Sequence, residues 1–146
     1  MFSTLVRSAP IFHRDGSMGL PIYHEAIGKF SEYLYLDREG RIVDKLRMTR
    51  GRDAIQATIV PLSETVAVAM LRHASGQAGN VLFSRTGDAG PTWSRPLPAP
   101  PSNQDSSLAA VALRSPGSGI LIALNNLTLG RFRLSLMQTD PDLREP

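Results

Sequence analysis

The sequence predicts an all-β chain of propeller-type blades, four-stranded antiparallel sheets, about two and a half to three of them forming a partial propeller. Three observations carry this. First, 11 Pro and 12 Gly punctuate the 146 residues, few windows sustain a 3.6-residue apolar period, and short β-rich runs lie between the turns. Second, aspartates at positions 37, 88 and 140 each follow a third strand, 51 and 52 residues apart, as repeated blades require. Third, Thr86 to Trp93 carries a turn motif whose residue types suit the last hairpin of a blade. Spacing alone leaves a sandwich open, because evenly spaced short strands also occur there.

The elements follow in order. Blade one is expected over residues 9–48, with strands at Ala9–His13, Leu20–His24, Ser31–Leu36 and Ile42–Met48. Arg14-Asp15-Gly16-Ser17 and Asp37-Arg38-Glu39-Gly40 supply its tight turns, since Asp accepts turn N–H groups and Gly tolerates φ > 0. Blade two is expected over 55–97, with strands at Ile55–Pro61, Thr65–Arg72 and Asn80–Arg85 and the turn motif before the fourth. Leu97–Ser107, rich in Pro and polar residues, is expected to be a loop. Blade three, 108–140, is expected to hold Leu108–Leu113, Ile120–Asn125 and Arg131–Gln138, with a turn at Ser115-Pro116-Gly117-Ser118. All three blades belong to one domain, residues 1–146.

Composition narrows the function. With Lys+Arg 16 against Asp+Glu 13 the net charge is +3, and the pI is about 9.8. Only Lys29 and Lys45 are lysines; the rest are scattered Arg, with no run denser than Arg47, Arg50 and Arg52. A surface that tracks phosphates carries denser basic runs, so nucleic acid is not the expected partner. No apolar run approaches the ~20 residues of a membrane helix, and the MFSTLVRSAP start has no stretch fit for a signal peptide. The chain therefore reads as a soluble, bacterial-type protein without a membrane partner. Without Cys, disulfides, thiolate metal sites and Cys nucleophiles are excluded, and three scattered His argue against a metal. No cofactor is expected.

Thr86-Gly87-Asp88-Ala89-Gly90-Pro91-Thr92-Trp93 fills every defined position of the Asp-box, S/T-x-D-x-G-x-T-W. The reading is structural. The Asp88 carboxylate accepts turn N–H groups, Gly90 permits φ > 0, and Trp93 anchors the following strand. Gln138-Thr139-Asp140-Pro141-Asp142 looks like a decayed copy.

With that box, the chain resembles the BNR-repeat, sialidase-like (neuraminidase-like) β-propeller family. The resemblance runs through Gly19 to Glu25, Ile27 to Phe30, Gly51-Arg52 with Ala54-Ile55-Gln56, and Met70-Leu71-Arg72. It continues through Asn103 to Val111, Leu124-Asn125-Asn126 and Gly130-Arg131. This order is similar to the later, C-terminal portion of such proteins. The resemblance implies that the early blades, which bring one substrate-gripping arginine and the acid/base aspartate, are not represented. It also implies a hydrolase acting on, or a propeller binding, acidic sugars such as sialic acid. The alternative is a non-catalytic carbohydrate-binding or protein-interaction propeller.

Blade topology places the candidates. The b–c and d–a connections open on one face, so Tyr23, His24, Glu25, Arg50, Arg52, Asp53, Arg72, His73, Asn103, Asp105, Asn125 and Arg131 should crowd one rim, opposite the Asp-box. Guanidinium forks hold carboxylates, and amides bind hydroxyls or N-acyl groups. Arg72, Arg52 and Arg131 are candidates for an acidic sugar's carboxylate; Gln56, Asn103 and Asn125 are candidates for the rest of the sugar. Each also has a plain reading, as a solvated rim charge, a core amide or a turn residue. Tyr23 and Glu25, two apart, share one side of a strand. In the sialidases this chain resembles, a Tyr activated by a Glu is the nucleophile, so the pair is the catalytic candidate beside the plainer reading of a hydrogen-bonded rim Tyr. Asp105 and Ala109 depart from the family pattern, where Asn and Asp are usual.

Assembly follows from the open stack. Three blades expose two apolar faces, and the third blade lacks a fourth strand. Phe2–Arg7 is a β-like run with no place in a first blade already filled by four strands. A homodimer is expected, each N-terminal strand completing the partner's last blade; the alternative is a monomer in which Phe2–Arg7 folds over one end.

Overall fold

The computed structural model describes residues 4–26, 28–51, 53–74, 79–114, 119–125 and 132–141. Among them there is no helix, and the strands form three antiparallel sheets. The first holds β1 (Thr4–Val6), β2 (Ile11–Phe12), β3 (Met18–His24), β4 (Phe30–Leu36) and β5 (Ile42–Arg47). The second is β6 (Ala54–Pro61), β7 (Ala67–His73), β8 (Gly79–Thr86) and β9 (Leu97–Asn103), in that order. The third is β10 (Ala109–Ala112), β11 (Ile120–Leu124) and β12 (Ser135–Thr139). These are blades of a partial propeller.

The middle blade explains the apolar run Ala67-Val68-Ala69-Met70-Leu71. Successive side chains on a strand face opposite ways, and here both faces are covered. Ala69 and Leu71 pack with Tyr33, Leu46, Tyr35 and Trp93 against the first blade. Val68 and Met70 pack with Ile120, Ile122 and Leu124 against the third. The core is therefore two apolar layers, one on each side of the second sheet.

Aspartate turns close the hairpins by one local mechanism. Between β4 and β5, Asp37 Oδ1 accepts the N–H groups of Glu39 (3.1 Å) and Arg41 (2.8 Å), and Gly40 has φ +78°. In the Asp-box, Asp88 Oδ1 accepts the N–H of Thr92 (3.1 Å) and the Thr86 hydroxyl (2.7 Å), while Oδ2 accepts the Thr92 hydroxyl (2.6 Å). Partial desolvation raises the Asp88 pKa, but the bonds from Thr92 and Thr86 overcome this and hold it at about 2.

Asp88→Ala is therefore expected to cost on the order of 1–2 kcal/mol, by analogy with lost caps. The lowered pKa means that the folded state favours the carboxylate. The contribution is present above the ordinary value of 3.8 and lost as pH falls toward about 2. The melting difference between wild type and Asp88→Ala should shrink over that range; a difference constant from pH 5 to pH 2 would contradict this role.

The structure corrects two expectations. Leu97–Ser107 is not a loop: Leu97–Asn103 is β9, whose Leu97 and Pro98 pair with Phe83 and Leu82. Its prolines suggested a loop, but β9 is the edge strand of its sheet, where a missing N–H need not break a ladder bond. Nor does the N-terminal run lack a place in its own blade, since Thr4–Val6 pairs with Ile22–His24. The expected first strand, Ala9–His13, shrinks to β2, which takes only Met18 and Gly19. β1 and β2 thus share one edge of β3, and the exchange of this strand between copies loses its basis. In the third blade the last strand is Ser135–Thr139; Arg131, the expected start, lies outside the described residues.

Candidate functional site

β7 runs from Ala67 beside the Asp-box to His73 at the opposite end, because Ala67 pairs with Thr86. Arg72 and the Asp-box therefore sit at opposite ends of one sheet. The end carrying Arg72 is the upper rim.

Three local features build the rim. β3 delivers Tyr23 one residue before its end. β6 carries a bulge: Ile55 pairs with Arg72 and Thr58 with Met70, so Gln56 and Ala57 face Leu71 alone. Gln56 has φ +56°, in the left-handed region, which a β-branched residue would tolerate poorly. The turn after β9 places Asp105, with φ +48°, above the sheet.

These pieces meet in one array. Gln56 Nε2 donates to the Tyr23 hydroxyl at 3.2 Å. Gln56 Oε1 accepts from the Ser107 hydroxyl and from Arg72 Nη1, the latter at 3.4 Å. Arg72 Nε donates to Asp105 Oδ1 at 2.7 Å, and Nη1 lies 3.8 Å from Glu25 Oε1. The Arg72 side chain is only 12% exposed, so it is held in place by charged partners on two sides. Its Nη2 makes no hydrogen bond to any described residue.

The other candidates fall around this array. Asn103 is fully buried and its Oδ1 accepts the Ser106 N–H at 2.8 Å, which holds the 103–106 turn. Asn125, also buried, donates through Nδ2 to Ser106 Oγ at 3.4 Å. Together they shape the backbone beneath Asp105 and Ser107. His24 turns away from the rim, meets Glu32 Oε2 at 2.7 Å and stacks on Phe30 at 4.4 Å. His73 faces Asp53 Oδ2 at 3.4 Å at the junction of the first two blades. Arg52 and Arg131 lie outside the described residues. No group of three His, Asp or Glu residues is placed to hold a metal ion among the described residues.

Two partners went unrecognised in the sequence. Ser107 reaches Gln56 across 51 residues, and Asp105 is the main partner of Arg72 across 33. The signal for both was the polar stretch 103–107 ahead of an apolar strand, which topology sent to the rim without saying which side chain met which.

Comparison with known proteins gives a consistent picture. The BNR repeat-like domain family matches residues 1–144. Among solved structures, leech intramolecular trans-sialidase complexed with 2,7-anhydro-Neu5Ac aligns with a TM-score of 0.74 and 20% identity, covering 91% of this chain and 21% of that one. The NanB sialidase of Streptococcus pneumoniae aligns with a TM-score of 0.72 and 17% identity, with the same coverages of 91% and 21%. An ulvan lyase bound to -[GlcA(1-4)Rha3S]- aligns more distantly, with a TM-score of 0.52 and 11% identity over 90% of this chain and 32% of that one. This chain thus spans about a fifth of the two sialidases' length. Among proteins of curated function, none gives a significant sequence match.

Proposed function

Because the chain belongs to the BNR repeat-like domain family, we propose that its upper rim binds an acidic sugar, with Arg72 as the carboxylate-gripping residue. The observation that carries this is the Arg72 guanidinium, fixed on one edge by Asp105 at 2.7 Å and bonded to the Gln56 amide, which in turn holds the Tyr23 phenol. A guanidinium anchored through Nε presents its Nη groups as a preorganised fork for a carboxylate. Gln56 and Tyr23 then offer hydrogen bonds to sugar hydroxyls or an N-acyl group. Two of the fold relatives were solved with acidic sugars bound, 2,7-anhydro-Neu5Ac and a glucuronate-containing ulvan unit, which supports the same ligand class here. Arg52 and Arg131 remain proposed further contacts.

Binding is better supported than turnover. A Tyr23 nucleophile needs Glu25 to take the phenol proton. In this arrangement the Tyr23 hydroxyl is bonded by Gln56, and Glu25 Oε1 lies near Arg72. Calorimetric titration with 3′-sialyllactose, with lactose as the uncharged control, tests the reading alongside a fluorogenic sialoside. The expected result is saturable binding of sialyllactose, none of lactose and no hydrolysis. Hydrolysis lost in Tyr23→Phe would make the rim catalytic; failure of both assays would remove the sugar reading.

A homodimer is proposed on a different observation. On the outer face of the third blade, Val111 is 56% and Leu136 66% exposed, and an apolar sheet face is suited to pack on another sheet. The contact is face to face, without strand exchange. A mass near 15.9 kDa by light scattering at micromolar concentration would rule it out.

A further inference from the structure

One feature that this reading leaves unused lies at the opposite end of the blades. A cavity of about 570 Å³ opens between the first and second sheets beside the Asp-box, within the size range of small-molecule sites. Its walls are aromatic: Phe12 and Tyr35 from the first blade and Trp93, the last residue of the Asp-box. Tyr33 forms the buried base, edge-on to Trp93 at 6.2 Å between ring centroids.

The charged groups of this cavity are mostly acidic. The two tyrosine hydroxyls already have protein partners, His13 Nε2 at 3.1 Å for Tyr33 and Ser17 Oγ at 2.8 Å for Tyr35. Ser17 in turn donates to Asp15 Oδ1 at 2.6 Å. Asp44 sits directly across from Tyr35 in the β4–β5 register, its Oδ1 taking the N–H of Lys45 at 2.7 Å. Glu64 lies across the mouth, bridged to Arg14 at 2.6 Å. The second carboxylate oxygens of Asp15, Asp44 and Glu64 have no hydrogen-bond partner among the described residues. Against these three carboxylates, and the Asp88 carboxylate engaged in its own turn, the lining has one guanidinium, that of Arg14. Arg38 also faces Asp15 from the neighbouring turn.

We propose that this cavity is a second ligand site and that it takes an organic cation with a small apolar body, such as a quaternary ammonium group. Aromatic faces attract a cation through their quadrupole, and carboxylates beside them supply the countercharge. The same carboxylates disfavour the anionic ligand proposed for the upper rim. A neutral sugar also stacks on aromatic rings, but it gains nothing from the excess of carboxylates, whereas a cation does.

Trp93 is the only tryptophan in the chain, so its emission reports on this site alone. The test titrates the whole chain with choline chloride, with 3,3-dimethylbutan-1-ol as the uncharged isostere, and with lactose and sodium chloride in parallel. Saturation-transfer NMR on the choline methyls gives a second readout. Choline is expected to bind saturably in the millimolar range, at least tenfold more tightly than the isostere, and Asp44→Asn is expected to weaken it at least fivefold. Asp44 is exposed and outside the core, so this variant should fold. Equal binding of the isostere, unchanged binding by Asp44→Asn, lactose binding in place of choline, an effect matched by sodium chloride, or silence in both readouts would each overturn the proposal. None of these outcomes bears on sialyllactose binding at the upper rim, so the two sites fail or stand separately.

Discussion

Tyr33→Ala is expected to destabilise the protein by about 3–5 kcal/mol, the range for removing a large buried aromatic side chain. That is a large share of a typical total of about 5–15 kcal/mol. Tyr33 is 1% exposed and packs between two glycines. A Cβ on Gly19 would meet its hydroxyl at 1.6 Å, and one on Gly90 would meet its ring at 2.7 Å. Its ring therefore occupies the space that both glycines leave open. Gly19→Ala should cost about 1–3 kcal/mol or more, since a ring closed in by Gly90 cannot move aside cheaply. The two changes are coupled, so Gly19→Ala should cost little in a Tyr33→Ala background. Urea melts of the four proteins check this; equal costs in both backgrounds would show that Tyr33 is not the obstacle. Burial also pushes the Tyr33 phenol up to about 12 from its ordinary 10.0, with Tyr35 adding to the shift. The fold thus favours the protonated phenol, and its contribution should disappear as pH rises from 10 toward 12.

The second large effect is on binding. Arg72→Ala is expected to weaken 3′-sialyllactose about ten- to a hundredfold, since a charge-assisted pair contributes about 1.5–3 kcal/mol. Melting should fall only slightly, because the Asp105 carboxylate left behind is 35% exposed and can rehydrate. Arg72→Lys keeps the charge but not the planar fork, so it should recover part of the affinity. Calorimetry and thermal melts of both variants decide. An Arg72→Ala protein that fails to fold, while Arg72→Lys folds and binds no sugar, would make the residue structural.

Much of the architecture was legible because its determinants are local. Asp37 and Asp88 accept N–H groups from residues at most four positions away, and such bonds need only the right neighbours in sequence. The first three strands of the middle blade were legible for the same reason. β9 was not, because three prolines in seven residues look the same in a loop and in an edge strand; only its place at the end of a sheet tells the two apart. β1 was misplaced because the first strand of the first blade is split. Counting Ala9–His13 as a whole strand left no edge of β3 for Thr4–Val6.

For the site, the sequence by itself determined to which end of a sheet each connection goes, since strand direction and turn order decide that. It could not decide which side chains touch. Gln56 reaches Tyr23 across 33 residues, and Arg72 reaches Asp105 across another 33. Both contacts depend on tertiary geometry: the first on how the first two blades pack and on a one-residue bulge, the second on a left-handed turn after β9. The cavity below was beyond the sequence for the same physical reason. Its aromatic walls and carboxylates come from two different sheets, and their distance is fixed only when the apolar faces between those sheets close on each other.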